Sequence, residues 1–148
     1  EDAGRWYQRV EDVRHAKEAA IEHPAFSAKQ RQWEVAMTNA SVMLSTEVLG
    51  HRIRLWVFKR SGPALDGALQ ELRRDLYRLK SLAAPAAGAV SVDVGASVGM
   101  VAIVLSRVWP NTPVIAVEPA PANFRYLLWN LRINGVASRV WPLNVAMG

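Results

Sequence analysis

The 148-residue chain contains no cysteine. That absence excludes a disulfide framework, a thiol nucleophile and a cysteine-based zinc site. Histidine is scarce, and His15, His23 and His51 are scattered along the chain. No metal ligand set is therefore assigned. Acidic residues almost vanish from the second part. Residues 1–85 carry 14 basic and 11 acidic groups, whereas residues 86–148 carry four basic and two acidic, Asp93 and Glu118. A long uninterrupted apolar run is also missing. Between Ser81 and Ser106 the one charge is Asp93, but Pro85, Gly88, Gly95 and Gly99 break the stretch. A membrane-spanning helix needs about 20 apolar residues without such breaks, so no span is expected. The charged opening "EDAGR" does not read as a secretory leader, and the cytoplasm is the expected compartment. There is no starting Met, which makes a fragment or a processed product the expectation.

What is present suits one domain. A chain of this length buries roughly 70% of its unfolded surface, enough for a real core. Hydrophobic residues make up 51% and charged residues 21%, ordinary values for a soluble globular protein. The net charge is +5 and the pI near 10.1, which raises the question of a nucleic-acid partner. The basic residues alternate with acidic ones, as in "RVEDVRHAKE". That is the texture of a solvated helix face, so no nucleic acid is expected. There are no internal repeats or low-complexity tails.

Periodicity divides the chain. Residues 4–22 carry apolar positions every three or four residues and predict a helix ending at His23-Pro24. A second short helix is expected over 27–37, with Ser27 as its N-cap. Residues 41–59 switch to the alternation of strands around "LGHR" and predict a hairpin. Leucines at 65, 69, 72, 76 and 79 lie on one face of a helix expected over 64–83. A coiled-coil seam is the alternative, but fewer than three heptads favour packing within the domain. After "AAPAAG" the pattern becomes strand "AVSVDV", loop "GASVG", helix "MVAIVLSRVW", strand "VIAVE", helix "PAPANFRYLLWNLRING" and strand "RVWPLNVAM". Strands alternating with helices through short turns predict an α/β fold with a parallel sheet. The domain division expected is 1–62, a helix plus hairpin region, and 63–148, the α/β region.

Parallel sheets bind ligands beyond the carboxyl ends of their strands. Asp93 comes near the end of the first of these strands, Gly95 and Gly99 fall in the loop after it, and Glu118 ends the second. Both carboxylates and the glycine loop are thereby expected on one rim. Glycines allow positive φ and close approach of a ligand to the backbone. The amides of residues 97–100 open a helix and offer unpaired donors. An acid at the end of the second strand suits the hydroxyls of a ribose. Asp93 suits a cationic group such as an amine. A ligand with an amino-acid end and a nucleoside end fits this set. The loop is G-x-x-x-G rather than G-x-G-x-x-G, and Gly99 is followed by Met100 rather than Lys. Neither the dinucleotide nor the P-loop template matches.

Each residue also has a plainer reading. Asp93 can be a helix cap or a strand-end hydrogen-bond partner. Gly95 and Gly99 can merely permit a tight turn. Glu118 can be a solvated turn residue, and Asn134 with Gly135 a helix C-cap. Trp109, Trp129 and Trp141 read as packing residues.

The segment "VDVGASVGMVAIVLSRVWPNTPVIAVEPAPANFRYLLWNLRINGV" resembles the FkbM family of S-adenosylmethionine-dependent methyltransferases. The pieces that carry the resemblance are V-D-V-G-A-x-x-G and A-x-E-P-x-P-x-x-F-x-x-L-x-x-N-x-x-x-N-G, over about residues 88–148. Ser97 stands where the family more often has Asn, and it keeps a hydrogen-bonding side chain. The resemblance implies a Rossmann-like methyltransferase sheet with S-adenosylmethionine as cofactor. It also implies that Gly95, Ala96, Ser97 and Gly99 cradle the methionine part. Asp93 would anchor the amino group, Glu118 would hold the ribose hydroxyls, and Pro119 would shape the turn beside the adenine. The family sheet has seven strands, of which three are expected here, and the first would have one edge unpaired. The acceptor, a small molecule or a glycan, and any general base are left unassigned. An oxygen-directed methyltransferase truncated at its C-terminal side is the reading the resemblance implies. A non-catalytic remnant acting as a binding or interaction module is the alternative.

Overall fold

The computed structural model describes residues 40–146. The helices expected over 4–22 and 27–37 lie outside the described residues. Strands β1 (Ser41–Val48) and β2 (His51–Phe58) form the expected antiparallel hairpin, in register from Ser41 opposite Phe58 to Val48 opposite His51. Leu49 and Gly50 make the turn with φ of 51° and 81°. Two consecutive positive φ values match the right-handed twist of the strands they join. Ile53, Leu55 and Val57 are buried, whereas Arg52 and Arg54 are exposed. The alternation thus turns one face of β2 inward.

Helix α1 (Gly62–Arg73) is shorter than the leucine spacing predicts. Asp75 stands at φ 54°, and its carboxylate accepts the Leu79 and Lys80 amides at 2.7 and 3.1 Å. Such a local side-chain turn competes with the helical ladder and wins here. Arg78 repeats the left-handed backbone at φ 54°. Leu79 is tucked in, but Leu76 and Leu82 are more than half exposed. The seven-residue seam therefore does not exist.

The remaining elements follow the expected order. They are β3 (Ser91–Val94), α2 (Met100–Val108), β4 (Val114–Val117), α3 (Pro121–Ile133) and β5 (Val140–Leu143). The three strands form a parallel sheet in the order β3-β4-β5, with Asp93 beside Ala116 and Ala116 beside Pro142. Pro142 has no amide to give, which an edge strand tolerates. Helices α2 and α3 cover the sheet face that carries Val114, Ala116 and Val140, all fully buried. The hairpin packs on the outer side of these helices, mainly through β2. The layers are therefore sheet, helices, hairpin. The hairpin remains a separate two-stranded sheet. Among the described residues, no strand pairs with the outer edge of β3. At β3 the uncovered face is apolar: Val92 and Val94 are 56% and 61% exposed.

Candidate functional site

The loop between β3 and α2 is built from the end of β4. Gly95 and Ala96 both donate their amides to the Val117 carbonyl at 2.9 Å. The chain then turns through Ser97 at φ 49° and Gly99 at φ 89°, and the Gly99 amide donates to Ala96 O at 2.8 Å. Gly99 is the left-handed residue that launches α2. A Cβ there would stand 2.5 Å from Leu127 Cδ1 of α3. Both conformation and space thus call for glycine at 99. Gly95 has φ 78° and open space, with no heavy atom within 4 Å of a would-be Cβ. Its need for glycine is conformational only.

Glu118 follows β4 directly and is 5% exposed. Its Oε2 accepts the Ser97 amide at 2.8 Å, and its Oε1 accepts the Ala120 amide at 2.9 Å and Asn123 Nδ2 at 3.4 Å. It is therefore a buried strut between the glycine loop and the start of α3, not a solvated turn residue. Asn144 fixes the other side of this turn, donating to the carbonyls of Glu118 and Pro119 at 2.7 and 3.0 Å. Pro119 itself is exposed beside it.

Asp93 points to the same face as the helices. Burial pushes its carboxyl up from 3.8 to about 6. The backbone amide of Ala102 in the first turn of α2 pulls it back down, and the nearby Glu118 charge adds to the rise. Its Oδ2 is buried without a hydrogen-bond partner. A buried carboxylate oxygen in that state costs free energy unless something meets it.

Asp93, Gly95, Ala96, Ser97, Gly99 and Glu118 thus converge on one rim of the sheet, with Pro119 at its margin. A cavity of about 380 Å³ opens on the flank of the loop that faces the hairpin. It runs from residues 95–98 and Asn123 to Phe58, Leu65 and Tyr77, and none of its lining residues is charged. Neither Asp93 nor Glu118 lines it. The loop therefore separates a carboxylate side from a neutral, largely apolar side.

Three supporting asparagines were not legible as site residues. Asn123 and Asn144 brace Glu118, as above. Asn130 on α3 is fully buried and reaches the loop, donating from Nδ2 to Val98 O at 2.9 Å. The signal that points to it is spacing: 123, 130 and 134 fall on one side of a helix. Asn134 and Gly135 do end α3, with Gly135 at φ 65°, as the C-cap pattern predicts. Among the described residues no group of three His, Cys, Asp or Glu side chains is placed to hold a metal ion. No described helix is long and apolar enough to cross a membrane.

No family model matches the chain. In sequence it is similar to the methyltransferase sdnD of Sordaria araneosa, 34% identical over 56 residues. That match covers 38% of this chain and 22% of the relative, so the chain spans under a quarter of the relative's length. In fold it is similar to a T. thermophilus 16S rRNA N2 G1207 methyltransferase (RsmC) solved with AdoMet and guanosine. The TM-score is 0.55 and the identity 21%, over 72% of this chain and 28% of that one. It is also similar to the candidate transferase PH0793 of Pyrococcus horikoshii, with TM-score 0.50 and 21% identity, over 79% of this chain and 47% of that one. The chain therefore carries methyltransferase similarity in one segment of its sequence, and its Rossmann-like α/β architecture is similar to that of these solved structures.

Proposed function

We propose that this chain is the donor-binding part of an S-adenosylmethionine-dependent methyltransferase of the FkbM type, directed to an oxygen acceptor. The observation that carries the reading is the loop 95–99. It stands at the carboxyl end of a parallel sheet, is open above Gly95, and is tied by Ser97 to the acid that ends the next strand. The residues fit the cofactor. Asp93 Oδ2 is an unpartnered acceptor for its amino group. Glu118 Oε2 has one protein partner, which leaves a lone pair for a ribose hydroxyl. Gly95 leaves room for the methionine end, and Pro119 flanks the adenine side. When bound, the cofactor supplies an electrophilic methyl on a sulfonium. The task of these residues is to hold it in line with an acceptor, and alignment carries most of the rate in such transfers.

Residues 63–148 would form this donor-binding region, with the hairpin as its brace. The acceptor would be a small molecule or a glycan rather than a nucleic acid, and the cytoplasm the compartment. Calorimetric titration with S-adenosylmethionine tests the reading. Micromolar to submillimolar binding is expected, weakened at least tenfold in Glu118→Ala; a folded chain that binds nothing would sink it. A second reading, a non-catalytic binding module, is favoured by one observation, the open apolar face at Val92 and Val94. Cofactor binding by the chain separates the two, since that module has no use for the methyl donor.

A further inference from the structure

Two asparagines one turn apart on α3 grip the free edge of β2. Asn130 Oδ1 accepts the Trp56 amide at 2.7 Å, and its Nδ2 donates to Trp56 O at 3.0 Å. Asn134 Oδ1 accepts the Arg54 amide at 3.0 Å, and its Nδ2 donates to Arg54 O at 2.6 Å. Each side-chain amide meets one residue of the strand as the backbone of a third strand would. Here the two differ. The second Nδ2 hydrogen of Asn134 stays on its own helix, at Asn130 O 2.7 Å away. The second Nδ2 hydrogen of Asn130 goes to Val98 O in the glycine loop, 2.9 Å away. A single buried amide therefore ties the hairpin edge, α3 and the loop together. With its three bonds made, both donors of Asn130 are used.

We propose that Asn130 is a positioning residue for the glycine loop, and that the hairpin is through it a working part of the donor site. This rests on the donor-site reading given above. The loop has few other side-chain tethers. Glu118 holds it at Ser97 from one side, and Asn130 holds it at Val98 from the other. The peptide units on either side of the Ser97–Val98 peptide are thereby held, which sets the left-handed turn at Ser97 and Gly99. Asn134 serves as an internal control, because it makes the same pair of hairpin bonds without touching the loop.

The test compares Asn130→Ala with Asn134→Ala in the full chain, with Asn130→Ser as a milder variant should Asn130→Ala fail to fold. Two readouts are taken: hydrogen exchange at the Gly99 amide without ligand, and affinity for S-adenosylhomocysteine by calorimetry. Both alanine variants should lose similar stability. Only the Asn130 variants should exchange Gly99 faster and bind more weakly, each by about tenfold for one lost buried hydrogen bond. Asn134→Ala should stay within about twofold of the parent on both readouts once global opening is subtracted. Equal loop exchange in the two variants would overturn the proposal. A parent chain that binds no ligand while Gly99 exchange still rises only in the Asn130 variants would sink the donor reading and leave the loop-positioning role standing.

Discussion

Asp93 shows how a proposed site residue works against the fold that carries it. Its carboxyl is raised to about 6, so in the unliganded chain folding favours the protonated form. The sign follows. The stabilising contribution is complete below the unfolded value near 4 and is lost as pH rises through about 6. Chemical denaturation of the unliganded chain should therefore show stability falling between pH 4 and pH 7, by on the order of 2 kcal/mol for this group. Asp93→Asn should flatten that slope, raise stability at pH 7, and weaken S-adenosylmethionine binding; a variant with an unchanged slope would refute the assignment. Gly99 makes the opposite kind of demand. Gly99→Ala should cost about 2–3 kcal/mol, from left-handed strain plus the contact with Leu127. Gly95→Ala has the strain without the contact and should cost about 1 kcal/mol, so the difference between the two melting curves isolates the packing part. The types of these residues were legible, since an acid and glycines at strand ends are rare enough to mark a rim. The partners of Glu118 were not. Nothing in "VEPAPANF" says that the acid turns back onto Ser97 rather than outward.

The hairpin and α3 form the second scale. Trp56 stacks on Trp129 with ring centroids 4.7 Å apart, and Phe58 meets Tyr126 edge-on at 4.6 Å. Tyr126 Oη and Ser41 Oγ lie 2.6 Å apart in the buried seam between β1 and α3. Tyr126→Phe should destabilise by about 1–2 kcal/mol because it removes the buried hydrogen bond to Ser41, and a double-mutant cycle with Ser41→Ala should recover part of that loss. An additive cycle would show that the two hydroxyls do not act together. Strand and helix periods were readable at this scale because Ile53, Leu55 and Val57 alternate and α3 is bounded by Pro121 and Gly135. The length of α1 was not. Five leucines at helical spacing outweigh a single Asp75 in any count of pattern, yet that carboxylate takes two amides and ends the helix early.

At the scale of the whole molecule, among the described residues the sheet has one face sealed by helices and one that is open at β3. Val114→Ala and Val140→Ala should each cost about 1–3 kcal/mol, whereas Val92→Ala and Val94→Ala should stay within about 0.5 kcal/mol in the same urea series. A large loss at Val92 would mean that something else packs there. The succession of parallel strands was legible from the alternation of β-branched runs, apolar helices and short turns. The order of the layers was not, because the apolar face of a hairpin gives no address for what it packs against. Two of the outer strand edges, those of β2 and β3, meet opposite fates. The outer edge of β2 is closed by the amides of Asn130 and Asn134, which occupy the backbone groups of Arg54 and Trp56. Among the described residues the edge of β3 has no such lock, and open edges are where chains adhere to one another. In a concentrated sample, self-association should therefore begin at β3 rather than at the closed edge of β2. A lysine at position 92 should improve colloidal stability, whereas the same change anywhere on β2 should bring no such gain.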